Sequence, residues 1–574
     1  MRRFAIRTLA LPSLLLTVLA GQSAQAYDYT APVPFHTVAS FDPTPPANII
    51  PFPNNLLLLG TTDLTLNIPV PTNPAQAGPV LALNALDGFS TVAPWSTTFS
   101  APLTASTIVG GQSVHVFQVT LTGPGGGVTG VVRELKSPQE FVATLASNGA
   151  TGATLAIVPT APLKQLTSYM AVVTNGITDS TGLPVRASLI YSFAKRPGAL
   201  CVNGVSTLLA LPASEACALE PLRQLVNSQE AAASKAGVNA GNIVLSWVAT
   251  TQSTTVTMQA VTSLIDAVPN AGAVVVPTGL NLSNINSALP PVADVYVGTL
   301  TIPYYLSAPT AGNPTAPLTG HWNAAPGAYV PPFNQYGLDP KSTNVTFANP
   351  FPVVASNQTI PVLLTVPNAN SGHSKPTSGW PVVIFQHGIT RNRTDAFAIA
   401  GAFAAAGFAV IAIDLPLHGL TCTSNPFYDN QLLAGSPAAG LITGERTFNL
   451  DFGNTVDPTC PGTSFDSSGT YFINLTSLLT SRDNLREGVA DLLELRSALP
   501  SISLDGATPA FDGARVSFIG QSLGSIEGTS FMALAQTPNT AVQNAVLNVP
   551  GGGITNLLLG SPSFAPEILG GLAA

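Results

Sequence analysis

Short apolar runs broken by Gly, Pro, Asn and Asp fill the first part of the chain, and longer buried-type runs alternating with helix-compatible segments fill the last part. In residues 27–196 the clearest strands are predicted at 64–68, 114–119 and 169–173, a spacing that implies a β-sandwich without fixing its topology. Residues 197–345 predict a helix over 215–236 and strands over 243–256 and 295–306, read as a connecting region packed on the C-terminal part of the chain. His321-Trp322 there reads as an aromatic pair at an edge. From 346 to 574 the pattern changes. Strands are expected at 359–367, 380–386, 408–414, 515–519 and 542–549, with helices at 394–406, 481–499 and 525–535. Strands alternating with helices predict an α/β domain with a largely parallel sheet. The apolar stretch 396–415 is long enough for a membrane span, but Gly401, Gly407 and the β-branched run after Phe408 favour helix, turn and strand. The charges of the 481–499 helix (Arg482, Asp483, Arg486, Glu487, Asp491, Glu494 and Arg496) read as a solvated face.

Composition narrows the class. Only 8% of the 574 residues are charged and 45% are apolar, with 50 Gly and 51 Pro and a mean hydropathy of +0.35. That balance suits a turn-rich folded protein and excludes disorder. A net charge of −8 offers no basic surface, so no nucleic-acid partner is expected. Residues 1–26 read as an export signal: Arg2, Arg3 and Arg7, then an apolar core, then Ala24-Gln25-Ala26 before Tyr27. No cysteine stands at that junction, so no lipid anchor is expected, and no membrane-spanning segment remains once the signal is removed. In an oxidising compartment, periplasmic, outer-membrane-associated or extracellular, Cys201 pairs with Cys217 and Cys422 with Cys460 by sequence proximity. Neither metal nor cofactor is expected, since the cysteines lack Cys-x-x-Cys spacing and nearby histidines.

The chemistry concentrates at Gly520-Gln521-Ser522-Leu523-Gly524. An apolar strand runs into it and a helix follows, the context in which Gly-x-Ser-x-Gly forms a nucleophile elbow. The two glycines permit the tight turn and close helix packing. Upstream, the 380–386 strand ends in His387-Gly388-Ile389, so an oxyanion hole is expected from the N–H groups of Ile389 and Leu523. His387, Gly388, Gln521 and His418 are candidates to line the pocket, His418 at its mouth, although a purely structural role for the His418 loop is the favoured reading. The long insert 420–480 reads as a cap.

Several stretches carry a resemblance. Residues 155–182 resemble a bacterial Ig-like module. Phe41-Asp42-Pro43, Ile50-Pro51-Phe52-Pro53-Asn54, the 83–91 run, Ile302-Pro303-Tyr304-Tyr305-Leu306, Gln386-His387-Gly388-Ile389-Thr390 and Asp414-Leu415-Pro416-Leu417-His418-Gly419 make the chain similar to the bacterial virulence-factor lipases. The resemblance implies an exported α/β-hydrolase, here from about residue 346, acting as lipase or lysophospholipase on lipid or other acyl esters at Ser522. The low charge suits peripheral membrane contact. The chain departs from that family in lacking an anchoring cysteine and in having no Asp and no His after Ser522, only Glu527 and Glu567. Triads of this fold run serine, acid, histidine along the chain. The expectation is therefore a hydrolase domain incomplete at its C-terminus, with an inactive chain as the other outcome. An exported binding or adhesion protein on a hydrolase scaffold is the alternative function.

Overall fold

The computed structural model describes residues 36–429, 444–453, 460 and 464–573. The expected export signal and parts of the expected cap lie outside these. The chain forms two compact units, Met1–Thr254 with Pro326–Asn349, and Thr255–Ala325 with Pro350–Ala574.

The first unit is a β-sandwich. A five-stranded sheet contains Trp95–Phe99 and Gly152–Pro159, and a four-stranded sheet contains Val114–Leu121, Ser168–Thr174 and Ile243–Thr250. Trp95, Phe99, Leu155 and Ile157 from one sheet share a core with Val116, Tyr169, Leu245 and Trp247 from the other. Such two-sided burial is the arrangement that period-2 strands seek. The run 64–68 is not a strand, because Leu64 takes a left-handed φ of 69° and Thr65 N–H donates to the Asp63 side chain.

The region 197–345 does not form a separate connector. Ile243–Thr250 pairs antiparallel with Ser168–Thr174, and the helix Ala213–Lys235 shares the sandwich core through Val226. Residues 255–325 belong instead to the second unit, and 326–349 return to the first, where Asp63 accepts from Ser342 Oγ and Asn344 Nδ2. Sheet pairing across distant sequence decided the partition, which local pattern does not report.

The second unit is built on a seven-stranded sheet. Its strands are β1 (Ala273–Asn281), β2 (Ala293–Tyr304), β3 (Ser356–Pro367), β4 (Trp380–Gln386), β5 (Ala409–Ile413), β6 (Phe511–Gln521) and β7 (Asn544–Asn548), in the order β1-β2-β3-β5-β4-β6-β7. The first three are antiparallel to their neighbours, whereas β5, β4, β6 and β7 are mutually parallel. Helix α1 (Phe397–Ala405) packs on the face showing Val383, Phe385 and Val410. Helix α2 (Leu478–Ala498) packs beside α3 (Leu523–Leu534), which covers the other face by setting Phe531 on Phe518. The stretch 396–415 is thus helix, turn and strand. Among the described residues no helix is long and apolar enough to cross a membrane.

The reading of α2 as a solvated charged helix is corrected. Asp483, Glu487, Asp491, Glu494 and Arg496 are buried. Each finds a partner from distant sequence. Trp322 donates from N to Asp483 and from Nε1 to Glu487 (2.7 Å), Arg446 pairs with Asp491, Asn270 donates to Glu494, and Arg496 donates to the carbonyls of Ala541 and Gly513. A charge is tolerated inside when it is paired and hydrogen-bonded. Burial, reinforced by Asp491, raises the Glu487 pKa well above the ordinary carboxylate value.

Candidate active site

Parallel pairing sets the site. Gln386 lies opposite Gly520 where β4 meets β6, and Phe385 lies opposite Ala412 where β4 meets β5. His387-Gly388, Asp414 and Gln521-Ser522 therefore leave the sheet at one edge, where the strand order reverses about β4. Open α/β sheets bind ligands at such a reversal.

Ser522 sits between β6 and α3 with φ 52° and ψ −115°, a strained conformation for a residue with a Cβ. Its N–H donates to Asn548 O of β7 (3.0 Å), while its carbonyl accepts from Ser525 and Ile526 N–H. These bonds hold the turn against its strain. A Cβ on Gly520 would collide with Gly524 O, and one on Gly524 with Gln386 O, so both glycines are needed for α3 to start this close to the strands. Gly388 faces the serine: a Cβ built on it would lie 3.2 Å from Ser522 Cβ and 3.8 Å from Ser522 Oγ. Ser522 is partly exposed, and among the described residues its hydroxyl has no hydrogen-bond partner.

The two expected oxyanion donors are free. Leu523 is the first residue of α3, so its N–H has no acceptor within the helix. Neither it nor Ile389 N–H donates to another group among the described residues. Leu523 and Ile389 lie in one apolar cluster with Leu415 and Phe472. Gln521 is exposed at the same edge.

Both histidine rings are fully buried, so His418 takes the structural role and no place at the pocket mouth. His387 uses both nitrogens on backbone: Nδ1 donates to Gly388 O (2.8 Å) and Nε2 accepts from Leu415 N–H (3.2 Å). His418 Nδ1 donates to Pro416 O (2.8 Å), and its Nε2 abuts Gly469, where a Cβ would collide with it. Phe472 closes the other side of the ring. Burial pushes the His387 pKa down to about 4, and burial together with His387 pushes that of His418 to about 3, so both are neutral at pH 7. Among the described residues neither ring is hydrogen-bonded to Ser522, and His418 Nε2 has no hydrogen-bond partner.

A buried ionic layer behind this edge escaped the sequence reading. Arg393 reaches Asp414 at the end of β5 (2.5 Å) and Glu445 (2.7 and 2.8 Å), and Asp414 also accepts from Arg393 N–H (2.6 Å). Burial opposes the Arg393 charge, but Glu445 and Asp414 outweigh it and hold its pKa above the ordinary value. The usable signal was Asp414 directly after an apolar strand, a position that demands a partner. Glu527, on α3, is buried against Gly488 of α2, and burial with Asp491 nearby raises its pKa well above the ordinary value. Both expected disulfides form, Cys201–Cys217 with Cα atoms 4.8 Å apart and Cys422–Cys460 at 5.2 Å. Among the described residues no group of three or more His, Cys, Asp or Glu side chains is placed to hold a metal ion.

Strand order, the reversal about β4 and the serine turn together make the second unit an α/β-hydrolase fold. No family model and no curated protein matches this chain by sequence. Solved structures with some likeness include acetyl xylan esterase 1 from Thermoanaerobacterium, at 14% identity over 55% of this chain and 64% of that one, with a TM-score of 0.27. An acetyl xylan esterase from Paenibacillus follows at 12% identity over 50% and 57%, TM-score 0.23. A lipase in its open form gives 18% over 33% and 38%, TM-score 0.17. The chain spans less than two thirds of each of these proteins, and the fold assignment rests on the geometry above.

Proposed function

We propose that the chain is an exported serine ester hydrolase of lipase or lysophospholipase type, as the resemblance to virulence-factor lipases implies. Ser522 Oγ attacks an acyl carbonyl, and the N–H groups of Ile389 and Leu523 receive the oxyanion. The observation that carries this reading is the strained Ser522 turn facing Gly388 across the aligned ends of two adjacent parallel strands. One oxyanion donor is worth roughly 3–4 kcal/mol of barrier. The low-charge composition supports an acyl-lipid substrate, and the two disulfides and the N-terminal pattern support export.

His387 and His418, locked on backbone and against Gly469, are not assigned the role of base. A fluorophosphonate tests the site directly. The Ser522 oxygen bonds to phosphorus, fluoride leaves with the P–F pair, and the serine proton passes to water. Mass spectrometry should find the label on the Ser522 peptide and none in Ser522→Ala. No label, or label elsewhere, would favour the binding-protein alternative.

A further inference from the structure

The β3 strand outruns its neighbour at the active-site edge. It pairs with β5 only from Val362 opposite Ile413 to Thr365 opposite Val410, in antiparallel sense. Residues 356–361 therefore extend past the C-terminal end of β5, by about 20 Å at 3.3 Å per residue. They remain paired with β2 as far as Ser356 opposite Tyr304. The loop entering β3, residues 350–355, accordingly stands beyond the same edge from which Ser522 emerges.

That loop shows apolar side chains to solvent. Phe351 is 40% exposed, Val353 47% and Val354 45%. Its backbone is nevertheless held. Val353 N–H donates to Asn323 O (2.7 Å), Ala355 N–H to Tyr304 O (2.9 Å), and Pro352 bridges to Ala324. Next to Asn323, Trp322 N–H bonds Asp483 in the second turn of α2, and α2 opens with a further exposed apolar residue, Leu478. The side chains are thus presented by a fixed frame. From Ser342 to Ser374 the sequence contains no Asp, Glu, Lys or Arg. The loop itself carries no charged side chain, and the cations at the start of α2, Arg482 and Arg486, are paired with Asp483.

We infer that residues 351–354 are the lipid-docking loop of this protein, inserting Phe351, Val353 and Val354 into the surface of a zwitterionic phospholipid layer. Contiguous exposed apolar side chains on a neutral, pinned loop fit such a surface, and charge attraction plays no part. The inference rests on the ester-hydrolase reading for its purpose, since it would bring Ser522 to the layer that holds acyl esters, but its test does not.

The test uses the full chain carrying Ser522→Ala, so that catalysis is irrelevant, with phosphatidylcholine vesicles. The protein should sediment with the vesicles to the same extent at low and high salt, and the Val353→Asp/Val354→Asp form should lose that binding. In a separate Phe351→Trp form, emission should shift to the blue on adding vesicles and be quenched by lipids brominated along the acyl chain. This second variant answers the question even where the double aspartate form folds poorly. No sedimentation together with no blue shift would overturn the inference. Binding unchanged by the aspartates would also overturn it. A concentration-dependent dimer that the aspartates abolish would assign the loop to a second copy instead. Failure of Ser522 to take the fluorophosphonate, with vesicle binding intact, would remove the ester-hydrolase reading and leave the docking loop standing.

Discussion

Ser522 and His418 both stand close to a glycine at the C-terminal edge of the parallel strands, one after β6 and the other after β5. The serine is partly exposed, strained, and free of hydrogen bonds at its hydroxyl among the described residues. The histidine is sealed beneath Gly469 and Phe472 and neutral. Its loop is tied down further, for Gly419 N–H donates to Ser468 Oγ (3.1 Å) and Leu420 N–H to Glu445 (3.1 Å). A polar residue beside glycine at a strand end therefore announces a turn and leaves its chemistry open. What separates the two is exposure: the serine hydroxyl is open, whereas His418 Nδ1 is spent on Pro416 O and its unpaired Nε2 is sealed against Gly469.

The sharpest way to break this contrast is at Arg393, which secures the β5 end through Asp414 and Glu445. Arg393→Met leaves two buried carboxylates without their cation and should lower stability by about 3–5 kcal/mol in urea unfolding. A near-normal midpoint would mean that the layer is not the lock described here. The charged helix α2 sharpens the comparison through pH. Burial raises the Glu494 pKa from 4.5 to about 7, against the opposing hydrogen bond from Asn270. Below about pH 4.5 both folded and unfolded states hold the proton. Between about 4.5 and 7 the folded state keeps it while the unfolded chain releases it, so stability falls as pH rises through that window. Glu494→Gln keeps the shape and the acceptor for Asn270, and should remove that fall, a gain on the order of 3 kcal/mol at pH 8. Unchanged pH dependence would place the titration elsewhere. The smallest effect is at the elbow itself. Ser522→Gly relieves the positive φ and should stabilise by about 1 kcal/mol, while ending any labelling. A loss of stability would mean that the turn carries no strain.

Much of the sheet was legible because its strands are short apolar runs bounded by turn residues. Trp380–Gln386 coincides with the expected strand, and β5 falls within the expected 408–414. The elbow was legible because Gly520, Ser522 and Gly524 answer to a local backbone requirement. The helix charges were misread because their partners Trp322, Arg446 and Asn270 lie 161, 45 and 224 residues away, beyond any helical period. The structural reading of the His418 loop holds, although nothing near it in sequence reports Gly469 closing over its ring. The partition of 197–345 was hidden for the same reason, since a strand's sheet partner is a tertiary fact.

The central claim is that Ser522 and the N–H groups of Ile389 and Leu523 surround one point. A crystal structure of the phosphonylated protein measures this most directly. The phosphonyl oxygen is expected about 3 Å from both nitrogens. An oxygen turned to solvent, with either N–H bonded elsewhere, would contradict the claim.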